Sequence, residues 1–362
     1  MSIKINEALR AFFGESADTL ITESYGNGHI NDTLLVSGGE RRYVLQHMNS
    51  RVFPAPERLM GNVLSVTEHL RKKAVERGVA PSSATLEVIT TLDGRSVFTD
   101  SDGESWRTYA YIENTISYDR ADSPDAFRAC AAEFGRFSGY LADFPADTLF
   151  ETIKDFHNTP KRLEALKRAV STDKVGRVAE CAAEIAFALE REEFCSTLER
   201  ARESGELPLR VTHNDTKLNN VLFDKESGQP VCVVDLDTVM QGYSVNDFGD
   251  AIRFGANTAA EDETDLSKVS LDLELFEAFA TGYIEGTEGA LVESELALLP
   301  IGAMMMTFEC GIRFLTDYLE GDVYFKIHRE GHNLDRARCQ LALVADMESK
   351  LDEMNAIIKR IS

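Results

Sequence analysis

"VTHNDTKLNNVLFD", residues 211–224, contains a polar segment with Asp215 and Asn220 between two short apolar runs. A second apolar run, "PVCVVDLD" at 230–237, follows the turn "KESGQ". We interpret these runs as two paired strands, with Asn220 opening the first and Asp235 ending the second. A loop Asp, an amide five residues later and an Asp on the paired strand are the groups that phosphoryl transfer requires.

Each polar residue of this segment has an expected role. Asp215 is the candidate base that orients a hydroxyl group and accepts its proton, and Asn220 and Asp235 are candidate Mg²⁺ ligands. His213 is expected to brace the loop through backbone hydrogen bonds, and Lys217 to stabilise the transferring phosphoryl group. The alternative is an ordinary solvated turn, since Asn, Asp and Lys are common there. The complete set with this spacing favours the catalytic interpretation.

The charge of the chain limits the classes of partner. Its 362 residues carry 38 Lys and Arg against 61 Asp and Glu, a formal net charge of -23. Such an acidic surface repels nucleic acid backbones and anionic membranes, so small-molecule partners are expected. A few local cations or a metal ion still permit an anionic ligand in one cleft. Nothing in the sequence implies an oligomer.

Targeting features and cysteine usage predict a cytoplasmic protein. The N-terminus, "MSIKINEALRAFFGES", has the pattern of an amphipathic helix and not of a signal peptide. The longest uncharged stretch, "LALLPIGAMMMTF", is too short to cross a bilayer. Six scattered cysteines without a CxxC pair are typical of free thiols in a reducing compartment.

The chain changes texture along its length, which predicts an α+β protein with two lobes. The first hundred residues contain six β-type runs and one helical pattern over Pro56–Arg77. Long helical patterns follow, at 123–142, 159–171, 175–203, 270–288, 291–319 and 333–361. We predict a small β-rich N-terminal lobe over 1–113, a larger helical lobe over 114–362, and a cleft near "YIENTISYD".

Two further motifs are interpreted from their position relative to a helix. "NDFGD" at 246–250 contains the Asp-Phe-Gly tripeptide that holds Mg²⁺ in protein kinases, but Asp235 already ends the strand expected to carry the metal ligand. We therefore expect Asp247 to cap backbone amides of the catalytic loop, or to be a simple helix N-cap. In "FHNTPKR", Thr159 is the expected N-cap, with Pro160 opening the helix.

These motifs resemble the aminoglycoside phosphotransferase and choline kinase-like superfamily. More closely, the chain resembles the N-acetylhexosamine 1-kinases in stretches from residue 25 to 325. The matching stretches are "YGNGHINDT", "YVLQHMN", "FPAPERLMGNV", "FHNTPKR", "RVTHNDTKLNN", "DLDTVM", "DFGDAIRFGA" and "ECGIRFLTDYLEGDVYF". The resemblance implies a bilobal protein-kinase-like fold, with a small antiparallel β N-lobe and a larger, mainly helical C-lobe.

The implied activity is that of a transferase in carbohydrate metabolism. It is ATP- and Mg²⁺-dependent phosphorylation of the anomeric hydroxyl of N-acetylglucosamine or N-acetylgalactosamine. One alternative is a kinase for another small alcohol, such as an aminoglycoside, homoserine, choline or a methylthio-sugar. Another is a catalytically inactive kinase-like binding module, motivated by Gln46, where the wider kinase pattern has a phosphate-binding Lys or Arg.

The nucleotide contacts are expected in the first lobe. Gly26 and Gly28 are expected to let the backbone approach the phosphates, with Asn31 pinning the turn, although an ordinary hairpin has the same pattern. Backbone groups of Tyr111 and Glu113, in the expected hinge "TYAYIEN", are expected to face adenine. Because Gln46 is neutral, the phosphates are expected to depend either on Mg²⁺ and backbone donors or on another cation. Lys217 is the candidate for that cation.

Sugar contacts are expected from five side chains, and most have a structural alternative. Arg313 either binds sugar hydroxyls or pairs with Glu309 or Asp317 on its own helix. His29 either binds a sugar hydroxyl or is an exposed loop residue. Phe254 either contacts the sugar ring or belongs to the core, and Tyr324 either contacts the ring or packs at a helix end. The fifth candidate is the carboxylate of Asp237.

Overall fold

The backbone divides into two units that differ from the predicted lobes. The computed structural model describes residues 2–26, 30–81 and 84–362. The first unit comprises Met1–Ser117, Asp143–Lys154 and Val221–Met240, and the second comprises the remainder. The first unit therefore includes the segment 221–240, which the sequence assigns to the C-terminal lobe. It does so because a strand at Val221–Asp224 pairs with one at Thr115–Ile116.

The first unit contains an antiparallel sheet whose strands follow the predicted β runs. The spatial order is β1-β2-β3-β6-β4, with β5 also paired to β6. The strands are β1 (Ile21–Ser24), β2 (Asp32–Ser37), β3 (Tyr43–Met48), β4 (Val88–Ile89), β5 (Phe98–Thr99) and β6 (Ser105–Ala110). The register places Thr33, Gln46 and Arg107 in one row across β2, β3 and β6. Directly paired residues project from the same face of a sheet, so these three side chains share a face.

Two helices complete the core of this unit. Helix α1 (Ser2–Phe13) confirms the predicted amphipathic N-terminus, and α2 (Pro56–Glu76) confirms the helix predicted over Pro56–Arg77. Apolar residues of α1 pack with the sheet in one cluster that also includes Ala17: Ala8, Leu9, Phe12, Val36, Leu45 and Trp106. Burial of these side chains stabilises the sheet on which the polar row is built.

A second, three-stranded sheet in this unit carries the hairpin of the opening motif. Strands β9 (Val221–Asp224) and β10 (Pro230–Val233) pair antiparallel, and β7 (Thr115–Ile116) pairs with β9. The register sets Val221 opposite Val233. Asn220 closes a 3₁₀ turn directly before β9, and Asp235 lies two residues beyond β10, so both flank the strands instead of belonging to them.

The second unit is mainly helical, which confirms the predicted α+β class. Its helices are α3 (Pro124–Tyr140), α4 (Thr159–Thr172), α5 (Ala182–Glu190), α6 (Glu192–Cys195), α7 (Thr197–Glu203), α8 (Ser244–Gly255), α9 (Leu273–Gly286), α10 (Glu293–Glu320), α11 (His332–Ser349) and α12 (Leu351–Ile361). The patterns over 175–203 and 333–361 each predict one long helix, whereas the backbone leaves the helix at Arg191, Ser196 and Lys350. Two short strands, β8 (Arg210–Thr212) and β11 (Met240–Gly242), pair with each other. Strand β8 leads directly into the candidate catalytic loop, residues 213–220.

Close packing of α8 against α10 explains the glycine of the Asp-Phe-Gly tripeptide. A Cβ atom on Gly249 would lie 2.3 Å from the carbonyl oxygen of Gly302, and one on Gly302 would lie 2.2 Å from that of Val245. Glycine is therefore required for the approach of two backbones. Among the described residues, α10 alone is long and apolar enough to cross a membrane by length and composition, and 78% of its most apolar window is buried inside the structure.

Candidate active site

The carboxylate of Asp215 is held by two side chains from its own loop. The Lys217 ammonium lies 2.7 Å from Oδ1, and Asn220 Nδ2 donates to Oδ2 at 3.0 Å and to the Asp215 carbonyl at 2.8 Å. Burial by itself raises the pKa of Asp215, but Lys217 and Asn220 outweigh it and lower the pKa below the usual range. Asp215 is therefore ionised at neutral pH, as a proton acceptor must be.

His213 supports the loop from inside the second unit, as expected. Its side chain is fully buried and contacts the rings of Phe134 and Phe137 edge-on. Its Nδ1 accepts the backbone N–H of Asp215 at 3.3 Å, which places the ring proton on Nε2. His213 therefore positions the loop through the backbone of Asp215, the candidate base.

Two acids of α8 hold the same loop from the other side. Asp247 accepts the backbone N–H groups of His213 at 2.8 Å and Asn214 at 2.7 Å, and Asp250 accepts that of Thr216 at 3.1 Å. This confirms that Asp247 caps backbone amides of the catalytic loop. It is not the helix N-cap, because α8 begins three residues earlier, at Ser244.

Replacing Asp247 with Asn provides a pH-dependent test of this bracing. Burial raises the pKa of Asp247 to about 7, although His213 and Asn214 favour the charged form. The protonated form of Asp247 therefore stabilises the folded protein at pH values below the ordinary pKa of an Asp. This stabilisation is lost as pH rises through about 7. We expect the free energy of unfolding of Asp247→Asn, relative to wild type, to improve between pH 5 and pH 9. Chemical denaturation across this range measures the difference.

The same variant is expected to lose activity at every pH. An Asn side chain offers one acceptor oxygen, so one of the two loop N–H groups loses its partner, at about 1–3 kcal/mol. Asp125→Asn, at an exposed carboxylate in the first turn of α3, is the matched control. A pH-independent stability difference between Asp247→Asn and wild type would contradict the raised pKa.

A buried pair that sequence reasoning missed also reaches the catalytic loop. His157 Nε2 lies 3.2 Å from the carbonyl oxygen of Asn214, and Nδ1 lies 2.9 Å from Glu309. Thr159 donates to the other Glu309 oxygen at 2.8 Å, while Asn158 caps the helix, so the predicted Thr159 N-cap is wrong. The partners are about 150 residues apart, and only the polar residues of "FHNTPKR" hinted at this role.

The first unit contains a cavity that is lined mainly by apolar residues. Its volume is about 190 Å³ and its lining includes Gly26 and Asp235. The apolar lining comes from β3, β6, β9 and neighbouring residues: Val44, Leu86, Tyr109, Ala110, Ile112, Leu222 and Val234. An apolar pocket with a few polar groups at one side is typical of cofactor sites.

The polar side of this cavity contains a cation that sequence reasoning missed. Arg107 on β6 donates from Nε to Gln46 Oε1 at 2.9 Å and forms a bidentate ion pair with Asp237. The sequence places Asp237 among the sugar ligands, whereas the structure engages its carboxylate with Arg107 and with Asn31 at 2.8 Å. Asn31 also accepts the Asn49 backbone N–H at 3.0 Å, so it links the residue before β2 to the residue after β3. Its expected role in pinning the glycine turn stays a prediction, since residues 27–29 lie outside the described residues.

Of the two expected hinge residues, Tyr111 is part of the cavity lining and Glu113 is not. Tyr111 lines it, but its backbone N–H donates to the Arg42 carbonyl at 3.0 Å and therefore does not face a base. The Glu113 carboxylate pairs with Arg42, whose guanidinium lies 4.3 Å from the Tyr111 ring centroid. Gly28 and His29 lie outside the described residues.

Arg313 lies among aromatic rings of the second unit. Its guanidinium carbon is 5.3 Å from the ring centroid of Phe156, 5.5 Å from that of Phe325 and 6.0 Å from that of Tyr324. The carboxylates proposed as its alternative partners are engaged elsewhere: Glu309 with His157 and Thr159, and Asp317 with the backbone N–H groups of residues 323–325. Tyr324 is 62% exposed, and Phe254 is half-buried near the end of α8.

Oxygen atoms of Asn220 and Asp235 are the candidate ligands for a divalent cation. Among residues 2–26, 30–81 and 84–362, no group of three or more His, Cys, Asp or Glu is arranged to hold a metal ion. Asn220 turns its amide nitrogen to Asp215, so its carbonyl oxygen is the atom it can offer to a cation. Mg²⁺ in phosphoryl-transfer enzymes takes one or two protein oxygens plus phosphate oxygens and water. The amide oxygen of Asn220 and the carboxylate oxygens of Asp235 are each of the chemical type that Mg²⁺ binds.

Comparison with known proteins gives a family model and several similar folds. Residues 22–287, more than half of the chain, match the model of the phosphotransferase enzyme family. A microcompartment-associated aminopropanol kinase aligns at 18% identity and a TM-score of 0.65, over 98% of this chain and 99% of that chain. A choline kinase from Cryptosporidium parvum aligns at 14% identity and a TM-score of 0.58, over 98% and 97%.

A spectinomycin phosphotransferase, solved with ADP and spectinomycin, aligns at 12% identity and a TM-score of 0.57, over 97% of this chain and 98% of that chain. At these identities the similarity shows the fold. Both the family model and the fold neighbours agree with the α+β architecture described above.

Proposed function

The chain belongs to the phosphotransferase enzyme family, and we propose that it transfers the γ-phosphoryl group of ATP to the anomeric hydroxyl of an N-acetylhexosamine. The observation that carries this proposal is the set of contacts around the Asp215 carboxylate, which Lys217 and Asn220 hold and whose loop Asp247 supports from behind. This carboxylate is built to hold a hydroxyl and accept its proton. The apolar cavity of the first unit supports the choice of a nucleotide as donor.

The proposed reaction is an in-line displacement. Asp215 accepts the proton of the acceptor hydroxyl while that oxygen forms a bond to the γ-phosphorus, and the bond to the bridging oxygen of ADP breaks. An anomeric hydroxyl is more acidic than an ordinary alcohol, so a base with a lowered pKa suffices. Lys217 keeps Asp215 ionised between turnovers. Asn220 and Asp235 are the residues that would hold Mg²⁺, which neutralises charge on the phosphate oxygens when bound.

The environment of Arg313 supports a neutral acceptor over a cationic one. A guanidinium beside three aromatic rings can donate to sugar hydroxyls while a ring packs on the apolar face of the sugar. Arg162 lies near the same site: burial, and then the positive charge of Arg313, lower its pKa. Choline or an aminoglycoside would meet like charge here, so we favour a sugar over an amino alcohol.

Replacing Arg313 with Gln separates these two acceptor classes by the sign of the effect. We expect kcat/KM for N-acetylglucosamine to fall about 10- to 100-fold through loss of charged hydrogen bonds, with KM for ATP unchanged. For a cationic acceptor, loss of the like charge would leave kcat/KM unchanged or raise it. Steady-state assays with both acceptors measure this, and Arg168→Gln, at an exposed residue of α4, is the matched control.

A product assay tests the proposed function directly. Phosphorus NMR of a reaction with Mg-ATP and N-acetylglucosamine is expected to show a sugar 1-phosphate. Parallel reactions contain N-acetylgalactosamine, choline, homoserine and an aminoglycoside. Turnover of an amine alone would replace the sugar assignment with the amino-alcohol alternative. Binding of Mg-ATP without turnover of any acceptor would support the inactive binding module.

A further inference from the structure

We propose that Arg107 supplies the phosphate-binding positive charge of the nucleotide cavity, one strand away from the position where kinases place it. Protein kinases carry this cation as a Lys on the third strand. Here β3 has the neutral Gln46, and Arg107 is its direct partner on β6. The inference rests on the proposed use of ATP and concerns which side chain meets the phosphates.

The hydrogen-bonded row explains how the charge moves by one strand. Gln46 Nε2 donates to Thr33 Oγ1 at 3.0 Å, and its Oε1 accepts from Arg107 Nε at 2.9 Å. All three side chains line the cavity, as does Asp235. The amide thus acts as a spacer that holds the guanidinium on the same face of the sheet.

Arg107 combines a positive charge with an additional hydrogen-bond donor, although its side chain is buried. It is 1% exposed, and although burial by itself lowers its pKa, Asp237 raises it above the ordinary value. Among the residues that the structure describes, four of its five N–H groups have partners: Gln46, Asp237 twice and, at 3.8 Å, Met60 Sδ. The fifth, on Nη2, is the donor that the proposal assigns to a phosphate oxygen.

Asp237 and Asn31 position the guanidinium. The carboxylate binds both Nη atoms and in turn accepts from Asn31, so the planar group is held without rotation. This bidentate pair fixes the direction in which the remaining Nη2 N–H points. The same pair would also form if Arg107 had only a structural role, and the experiment must separate these two roles.

Nucleotide affinities provide that separation. Dissociation constants for adenosine, AMP, ADP and ATP are measured by calorimetry in the absence and presence of Mg²⁺. Wild type is expected to bind ADP and ATP more tightly than adenosine. In Arg107→Gln this phosphate-dependent gain is expected to shrink about 10- to 100-fold, the loss of charged hydrogen bonds, while adenosine affinity stays within about twofold.

A charge-swapped variant keeps the test valid if the single variant folds poorly. Gln46→Lys combined with Arg107→Gln restores one cation in the row beside Asp237, and is expected to recover ADP and ATP affinity to within about tenfold of wild type. Arg95→Gln, at an exposed arginine paired with Asp93, is the matched control and is expected to change nothing. Thermal unfolding of each variant reports whether it is folded.

The outcomes distinguish the inference from the proposed function. If Arg107→Gln is folded but keeps the phosphate-dependent gain in affinity, Arg107 is a structural residue and the inference is wrong. If Arg107→Gln unfolds, the charge-swapped variant decides, and its failure to recover ADP and ATP affinity gives the same conclusion. If wild type binds none of the four ligands, the nucleotide site itself is wrong. If wild type gains affinity with each phosphate and loses that gain only at Arg107, the inference stands together with the nucleotide site on which it rests.

Discussion

Asp215→Asn is expected to lower kcat about 10²- to 10⁴-fold, the range that a positioned general base contributes. The isosteric amide keeps the volume of the side chain but cannot accept a proton from the substrate. It also loses the charge that pairs with Lys217 at 2.7 Å. The dissociation constant for ATP is expected to stay within about threefold, because the cavity lining contains no atom of Asp215.

Single-turnover measurements and calorimetry with ATP test this expectation together. Single-turnover rates report the chemical step without product release, which limits kcat in many kinases. Asp125→Asn, on the exposed face of α3, is again the matched control. A single-turnover rate within tenfold of wild type would remove Asp215 from its role as base. Loss of ATP affinity together with loss of kcat would show a misfolded variant, which thermal unfolding would detect.

Asp235→Asn is expected to lower kcat about a hundredfold or more at fixed Mg²⁺, which corresponds to about 3 kcal/mol of lost charge stabilisation. Asp235 has a φ of +59°, in the left-handed region. Asn adopts this conformation readily, so the substitution changes the charge and leaves the backbone unstrained. The concentration of Mg²⁺ needed for half-maximal rate is expected to rise at least about tenfold, as one anionic ligand becomes neutral.

The binding readout for Asp235 is the increase in ATP affinity on addition of Mg²⁺, which is expected to shrink in Asp235→Asn. Asp173→Asn is the matched control, since Asp173 also has a left-handed φ of +41° but ends α4. We expect Asp173→Asn to retain wild-type activity and metal dependence. An unchanged Mg²⁺ titration of Asp235→Asn would transfer the ligand role to another group.

The brace behind the loop gives the weaker effects, because each contact there is one of several. Asp247, His213 and His157 each contact the backbone of residues 213–215 from a different direction. Loss of one leaves the other two in place, so we expect losses of about tenfold and not of orders of magnitude. Only the groups that touch the reacting atoms have no substitute.

The strands, the main helices and the catalytic hairpin were predictable because their signals are local. Apolar alternation identifies β2, β3 and β6, and a 3.6-residue period identifies α2 and α10. The hairpin of β9 and β10 has a short turn, and chain connectivity sets its register. The spacing of Asp215, Asn220 and Asp235 is likewise a property of a single stretch of chain, which is why the phosphoryl-transfer interpretation needed no coordinates.

The residues that sequence reasoning misassigned depend on partners far along the chain. Arg107 is an ordinary residue of a strand until Asp237, 130 positions later, pairs with it. That pair also removes Asp237 from the expected sugar contacts. The same holds for His157 and Glu309, which are 152 positions apart. No periodicity or spacing reports such pairs, since burial forces ionic groups together only after the chain has folded.

Local spacing therefore sufficed to predict the class of reaction and to single out a candidate base, because those groups lie on one loop and one hairpin. The location of the cavity's positive charge, the orientation of its arginine and the three supports behind the loop became visible only in three dimensions. They are consequences of strand register and of helix packing at Gly249 and Gly302, where the approach of two backbones decides which side chains meet.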